Sequence, residues 1–304
     1  MNPIEEALAG GVGLGTAILF PALGELISER AGVVNLGTEG AMLGGALGSV
    51  VVTIETGNVW LGLLVGIICG AAASAIHGWL TIRRKADQLA SGLVLWFLVL
   101  GMTSTFGADY NNQPVNAMTK VAIPGLSKIP WVGPILFDHE ILVYVGYVAV
   151  AAIWYVFYRT RAGLALRATG ERPDVVATTG GRPQLVQFLA VTIGGAFAGL
   201  GGAFFANVVA SSWTENLTHG YGFVAVAVVL FAAWRPLWVL GGSFLFGIAL
   251  NLPYVLQAHQ VQLNQALLDA LPYLVTLLAL AALARRGGAD APEELGKALN
   301  RSSA

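Results

Sequence analysis

Nine stretches of this chain, residues 7–27, 33–54, 59–80, 89–107, 141–158, 188–210, 222–233, 237–256 and 266–284, are almost continuously apolar. About 20 such residues cross the hydrocarbon core of a bilayer. Inside lipid every backbone polar group must find a partner within the protein, so a spanning segment is a helix or part of a closed barrel. These runs are continuous rather than alternating, which selects helices. Composition agrees: only 11% of residues are charged and the mean hydropathy is +0.71, against about 25% charged in soluble domains. The 39 glycines suit helices packed closely in a membrane. The expected architecture is an all-α, polytopic transmembrane bundle, residues 1–304 forming one domain. It has about nine spans, or ten if a broken or re-entrant helix is counted separately.

Basic residues orient such a bundle, because Lys and Arg favour cytoplasmic loops. With nine spans and the C-terminus inside, 14 of the 16 basic residues face the cytoplasm, from Arg30 to Arg301, and only Lys120 and Lys128 face out. This places the N-terminus outside. Residues 109–140 form an external loop, an irregular cap or short hairpin punctuated by Pro114, Pro124, Pro130 and Pro134. Residues 159–187 form a cytoplasmic loop, and 285–304 a cytoplasmic tail. The opening "MNPIEEALAG" has no basic residue, so no cleavable signal is expected. Cys69 stands alone, which excludes a disulfide framework. His77, His139, His219 and His259 are too scattered for a metal site. No GxxxxGK[ST] phosphate loop occurs. The spans offer no nucleophile paired with a base, so no catalytic residue is expected, and nothing points to nucleic acid.

The cytoplasmic loop reads "YRTRAGLALRATGERPDVVATTGGRPQ". Pro173 suits the first position of a helix, and Asp174 favours its positive end. Gly180 and Gly181 would close it in a left-handed cap. A two-turn cytoplasmic helix over 173–179 follows. This segment resembles the coupling segment of ABC-importer permeases of the branched-chain amino acid, simple-sugar and nucleoside group, with Gly163, Leu166, Arg167, Ala168, Gly170, Glu171, Pro173, Ala177 and Gly180 in the motif positions. "GELISERAGVVNLGTEGAMLGGA", "AVTIGGAFAGLGGAFFA", "WRPLWVLGGSFLFG" and "LPYLVTLLALAALARR" with "PEELGK" extend the likeness over nearly the whole chain. It is nearest to the shorter permease of the nucleoside-type subgroup. Two departures stand out: Trp96 replaces an Asn, and a basic residue of the subgroup is missing near Tyr221.

The resemblance implies a multi-pass protein of the bacterial plasma (inner) membrane that binds no cofactor itself. ATP would be used by two ABC ATPase subunits or a fused tandem ATPase. A second permease, a related longer chain, and an external substrate-binding lipoprotein complete the assembly. Arg167, Gly170, Glu171, Pro173, Asp174, Ala177 and Gly180 would carry the coupling to the ATPase. Nucleosides are the expected substrates and a simple sugar such as ribose the alternative. An ion-coupled secondary transporter is the reading from another class.

One stretch interrupts the apolar pattern: "ERAGVVNLGTEG", residues 29–40. Glu29 and Arg30 at the inner boundary can pair, or Arg30 can snorkel. Gly32 and Gly37 weaken the helix, and Asn35 and Thr38 can satisfy freed backbone groups. Glu39 falls within the second span, where a carboxylate costs roughly 2.5–3.5 kcal/mol at the centre, so it must face protein or water. Two readings compete for Asn35, Thr38 and Glu39. They line the translocation route or a gate, or they hydrogen-bond a re-entrant turn. Trp96 and Phe97 could stack on a planar base in the route, or face core and lipid. Asn207 is a further route candidate, and Trp213 nearby suits either a binding-protein contact or an interfacial anchor.

Overall fold

The structure, a computed structural model, describes residues 2–115, 118–260, 274 and 291–296. Its elements in chain order are α1 (Pro3–Arg30), α2 (Thr38–Thr56), α3 (Val59–Gly78), α4 (Gln88–Phe106), β1 (Lys120–Ala122), α5 (Val132–Leu136), β2 (Asp138–Glu140), α6 (Ile141–Arg159), α7 (Arg161–Glu171), α8 (Pro173–Thr178), α9 (Pro183–Phe204), α10 (Tyr221–Phe231) and α11 (Pro236–Ala258). Wider π-helical turns extend α3 through Trp79–Arg83 and α9 through Phe205–Val209. Among the described residues six helices are long and apolar enough to cross a membrane: α1, α3, α4, α6, α9 and α11. The all-α membrane bundle read from the sequence is therefore present. The apolar stretches 33–54 and 222–233 are also helical, as α2 with 19 residues and α10 with 11. The ninth stretch, 266–284, lies outside the described residues.

Burial ranks the helices. The apolar window of α1 is 78% buried and that of α9 61%, whereas α4 has only 22% buried. So α1 and α9 are the axis, and α4 is a peripheral helix with a broad apolar face for lipid or another subunit. Helix contacts at the axis need missing side chains. A Cβ on Gly24 would collide with the Gly194 carbonyl, and one on Gly202 with the Met42 carbonyl. Small residues let these backbones touch.

Local chemistry explains the helix ends. Asn2 caps α1 by accepting from Ile4 N, and Asn2 N in turn donates to the Glu5 carboxylate. Asn58 accepts from Trp60 N and Leu61 N to start α3. Outside the spans, β1 and β2 form the expected short antiparallel hairpin, with Val121 opposite His139. In the segment after α6 the expected helix 173–179 is found as α8 (Pro173–Thr178), and a second one, α7, precedes it. Thr160 caps α7 by accepting from Gly163 N at 3.1 Å.

Two backbone breaks interrupt the run of helices. Between α1 and α2, Gly32 adopts φ +86° and the chain turns back along α1. Before α10, His219 at φ +46° and Gly220 at φ +86° turn the chain so that α10 starts inside the bundle.

Candidate functional site

The break after α1 is organised by a carboxylate that drew no notice in the sequence, Glu25. It is 1% exposed. Asn35 N donates to its Oε1 at 2.8 Å and Thr38 Oγ1 to its Oε2 at 2.8 Å. Thus α2 begins beside a residue five positions before the end of α1, about 7 Å up that helix at 1.5 Å per residue. The Asn35 side chain accepts from Gly37 N at 3.0 Å and donates to Ser74 Oγ at 3.1 Å. Val34 N donates to Gln88 Oε1, and the Val34 carbonyl and Ser91 Oγ flank the His77 ring. Val34 N, Asn35 N and Gly37 N are thus matched by side chains, and Ala31 N, Gly32 N, Val33 N and Thr38 N by backbone carbonyls, as a membrane interior demands.

Glu39 organises the second break. It is fully buried. Its Oε1 accepts from Thr218 Oγ1 at 2.6 Å and Gly220 N at 2.9 Å, and its Oε2 from Gly222 N at 2.6 Å. The carboxylate therefore caps the first turn of α10, where free N–H groups and the helix dipole favour an anion. Gly222 has no Cβ because one would strike the Glu39 backbone. At the other end of α10 the chain returns to α1. Trp234 Nε1 donates to the Glu29 carboxylate, and Arg30 donates to the Trp234 carbonyl at 2.9 and 3.2 Å. Glu29 is 1% exposed. This corrects the expectation that it sits shallow or pairs with Arg30: both reach across the bundle to Trp234, a partner 204–205 residues away in sequence.

The remaining route candidates scatter. Asn207, fully buried, donates to Ser49 Oγ and the Ala203 carbonyl, both at 2.7 Å. Its Oδ1 has no hydrogen-bond partner among the described residues. Trp96 packs on Phe97 at 4.5 Å and edge-on to Phe223 at 5.1 Å. Phe97 is 60% exposed on the outer face of α4. Trp213 is no interfacial anchor: it is 1% exposed and its indole packs over Gly107.

The α7–α8 segment is held at one end and exposed at the other. Gly170, the penultimate residue of α7, lies against the Arg30 carbonyl and Gly32, and a Cβ there would collide. Its own carbonyl accepts from Glu294 N at 3.0 Å, and the Glu171 carboxylate from Glu293 N at 3.3 Å. Residues 291–296 thus strap the α7–α8 elbow, with Pro292 buried and Leu295 packed on the core. The Arg167 guanidinium lies over the Tyr158 ring at 5.4 Å. By contrast α8 has no buried residue. Asp174 and Ala177 are exposed, and Gly180 ends the segment at φ +85°. Ala177 joins Arg83, Arg182 and Leu185 around a groove of about 390 Å³.

A larger cavity, about 780 Å³, opens at the opposite end of the bundle. Its walls are the first turns of α1, the last turns of α11, the π turn after α9 and the β1–β2 hairpin, and Tyr221 closes it from below. None of the six route candidates lines it. Its polar wall residue Asn251 sits in an apolar helix, a signal readable in sequence. Glu6, Lys120, His139 and Glu140 come from segments that only folding brings together.

Comparison with known proteins adds the following. The profile of the branched-chain amino acid transport system / permease component family matches residues 7–280. The guanosine ABC transporter permease protein NupQ of Bacillus subtilis is 35% identical over 92% of this chain and 91% of its own length. The nucleoside ABC transporter permease protein NupC of Lactococcus lactis is 30% identical over 92% and 93%. TsgC13 of Haloferax volcanii, provisionally named a glucose ABC transporter permease protein, is 43% identical over 77% and 72%. No solved structure was found to match the chain.

Proposed function

We propose, from the premise that this chain belongs to the branched-chain amino acid transport system permease family, that it is the nucleoside-type permease subunit of an ABC importer. The observation that carries the substrate class is the near full-length likeness to permeases named for guanosine and nucleosides. A sugar is the second reading, favoured by the higher identity to a glucose-named relative over a shorter stretch.

The remaining parts of the proposal follow from the family and the geometry. The bundle crosses the plasma membrane about nine times, with the C-terminus in the cytoplasm. ATP is bound and hydrolysed by partner ATPases, and this chain performs no covalent chemistry. A second, related permease and an external binding protein complete the system. The ATPases engage the exposed α8, with Pro173, Asp174, Ala177 and Gly180 on its surface and Arg167, Gly170 and Glu171 at its root. Because Gly170 bears on the Arg30 carbonyl, displacement of the elbow is passed to the end of α1. Trp234 then carries it into α10 and up to Glu39. In this reading Asn35, Thr38 and Glu39 act at the hinges of the gate, while Trp96, Phe97 and Asn207 lie along the route.

The test is uptake of labelled guanosine, adenosine, ribose and glucose in cells with and without this gene, the rest of the system being intact. Loss of guanosine and adenosine uptake alone is expected. Loss of glucose or ribose uptake alone moves the chain to the sugar branch. Unchanged uptake of all four overturns both.

A further inference from the structure

We propose that the 780 Å³ cavity between α1 and α11 is this chain's outward-facing ligand site, taking a neutral ring compound that bears several hydroxyls. The proposal rests on the transport reading, and it assigns the place where the cargo first meets this subunit.

The size lies within the range of small-molecule pockets, about 300–1,000 Å³. Its floor is aromatic. Phe205 and Tyr221 meet edge to face with centroids 5.2 Å apart, and the Tyr254 ring stands exposed on the wall. Aromatic faces of this kind accept a nucleobase or the apolar face of a sugar ring. The π turn after α9 contributes Phe205, Val208 and Val209 together. Inserted turns of this type occur at functional sites because the extra residue re-aims the side chains around it.

The wall is polar in a particular way. Glu6 and Glu140 supply carboxylate oxygens and Lys120 one positive charge. The His139 ring is held by the Ile135 carbonyl at 2.8 Å, and burial lowers its pKa. Glu6 Oε2 is already held by His259 Nε2 at 3.0 Å, so Glu140 and the second Glu6 oxygen are the acceptors left for the hydroxyl donors of a ligand. Asn251 Nδ2 donates to the Ala7 carbonyl at 3.1 Å. That bond fixes the amide plane, and Gly10 has no side chain in the space the amide fills.

The floor is also mechanically connected. Tyr221 opens α10, whose first turn is gripped by Glu39 and whose far end reaches Glu29 and Arg30 through Trp234. A ligand on Tyr221 therefore rests on a helix tied to both breaks.

Gly13 makes the idea testable. It lines the cavity, and a Cβ added there meets open space within 4 Å. Cys69 is the only native cysteine and lies outside the cavity lining. The whole complex carrying Cys69→Ala and Gly13→Cys is reconstituted in proteoliposomes with its binding protein. It is treated from the outside with a membrane-impermeant maleimide. The expected result is labelling that is slowed by saturating guanosine and that, once complete, abolishes guanosine uptake. Tyr221→Ala and Asn251→Ala are expected to raise the KM for guanosine about five- to tenfold, as for loss of one contact, with Tyr221→Phe close to the parent. The proposal is overturned if Gly13→Cys is unreachable from outside, or if the labelled complex transports at the unlabelled rate. Should the unlabelled Cys69→Ala complex transport glucose and not guanosine, the nucleoside reading fails by itself. The same labelling with glucose as probe then decides the cavity.

Discussion

Two buried carboxylates, Glu25 and Glu39, do the work that a continuous helix would otherwise do with its own carbonyls. Glu25 accepts from the turn that starts α2, and Glu39 from the turn that starts α10. Removing one partner of a buried hydrogen bond costs about 1–3 kcal/mol per stranded group. Glu39→Ala strands a hydroxyl and two backbone N–H groups, so the purified complex should lose several degrees of thermal midpoint and membrane yield should fall. Glu39→Gln keeps one acceptor, for Thr218 and Gly220, but sets its NH2 against Gly222 N–H, and should lose less of both than Glu39→Ala. A thermal-shift series monitored by size-exclusion chromatography checks this; equal behaviour of Ala and wild type would mean that the cap contributes nothing. At the other end of α10, Trp234→Phe keeps the ring bulk but leaves the buried Glu29 carboxylate without its indole donor. A loss of about 1–3 kcal/mol, the cost of a buried group left without its partner, should appear in the same assay.

Elements differ in how they are held, and the difference separates coupling from folding. The α7–α8 elbow is anchored by Gly170 and strapped by residues 291–296, while α8 is open to solvent. Changes on α8 should spare insertion and act on transport alone. Glu171→Lys at the root places like charges at Arg172 and removes the acceptor for Glu293 N. It should abolish uptake while membrane level stays normal, and normal uptake by this variant would remove the coupling assignment. Leu295→Asp loosens the strap by burying a charge against the core. The expected signature is ATP hydrolysis by the partner subunits that continues with uptake reduced about tenfold or more, one decade being 1.4 kcal/mol of lost coupling. Parallel loss of both activities would instead indicate a failed assembly.

For the molecule as a whole, orientation is the open expectation with the plainest test. In a Cys69→Ala background, Lys128→Cys should react with an impermeant reagent on intact cells, and Thr179→Cys only after permeabilisation. The reverse pattern would invert the bundle. Much of the plan was legible in the chain. Apolar runs fixed a helical membrane bundle, because lipid leaves the backbone no other partner, and eight of the nine runs are helices. Pro173 and Gly180 bracketed α8, because ring and glycine act locally. The anomaly at 29–40 was legible as a break, since glycines, amide and carboxylate cannot all sit in lipid. What the sequence could not say is where the breaks find their partners. Glu39 meets Thr218 and Gly222, Glu29 meets Trp234, and Gly170 meets both Arg30 and Glu294. All these pairs are far apart in the chain, and only packing decides them. The 780 Å³ cavity belongs to the same class: its carboxylates, amide and rings come from α1, the hairpin, the turn after α9, α10 and α11, and no local pattern announces their meeting. Local conformational preference and the hydrophobic period act over a few residues, so the sequence determined class, helical runs and breaks. Tertiary packing alone decided which buried charge each break would lean on.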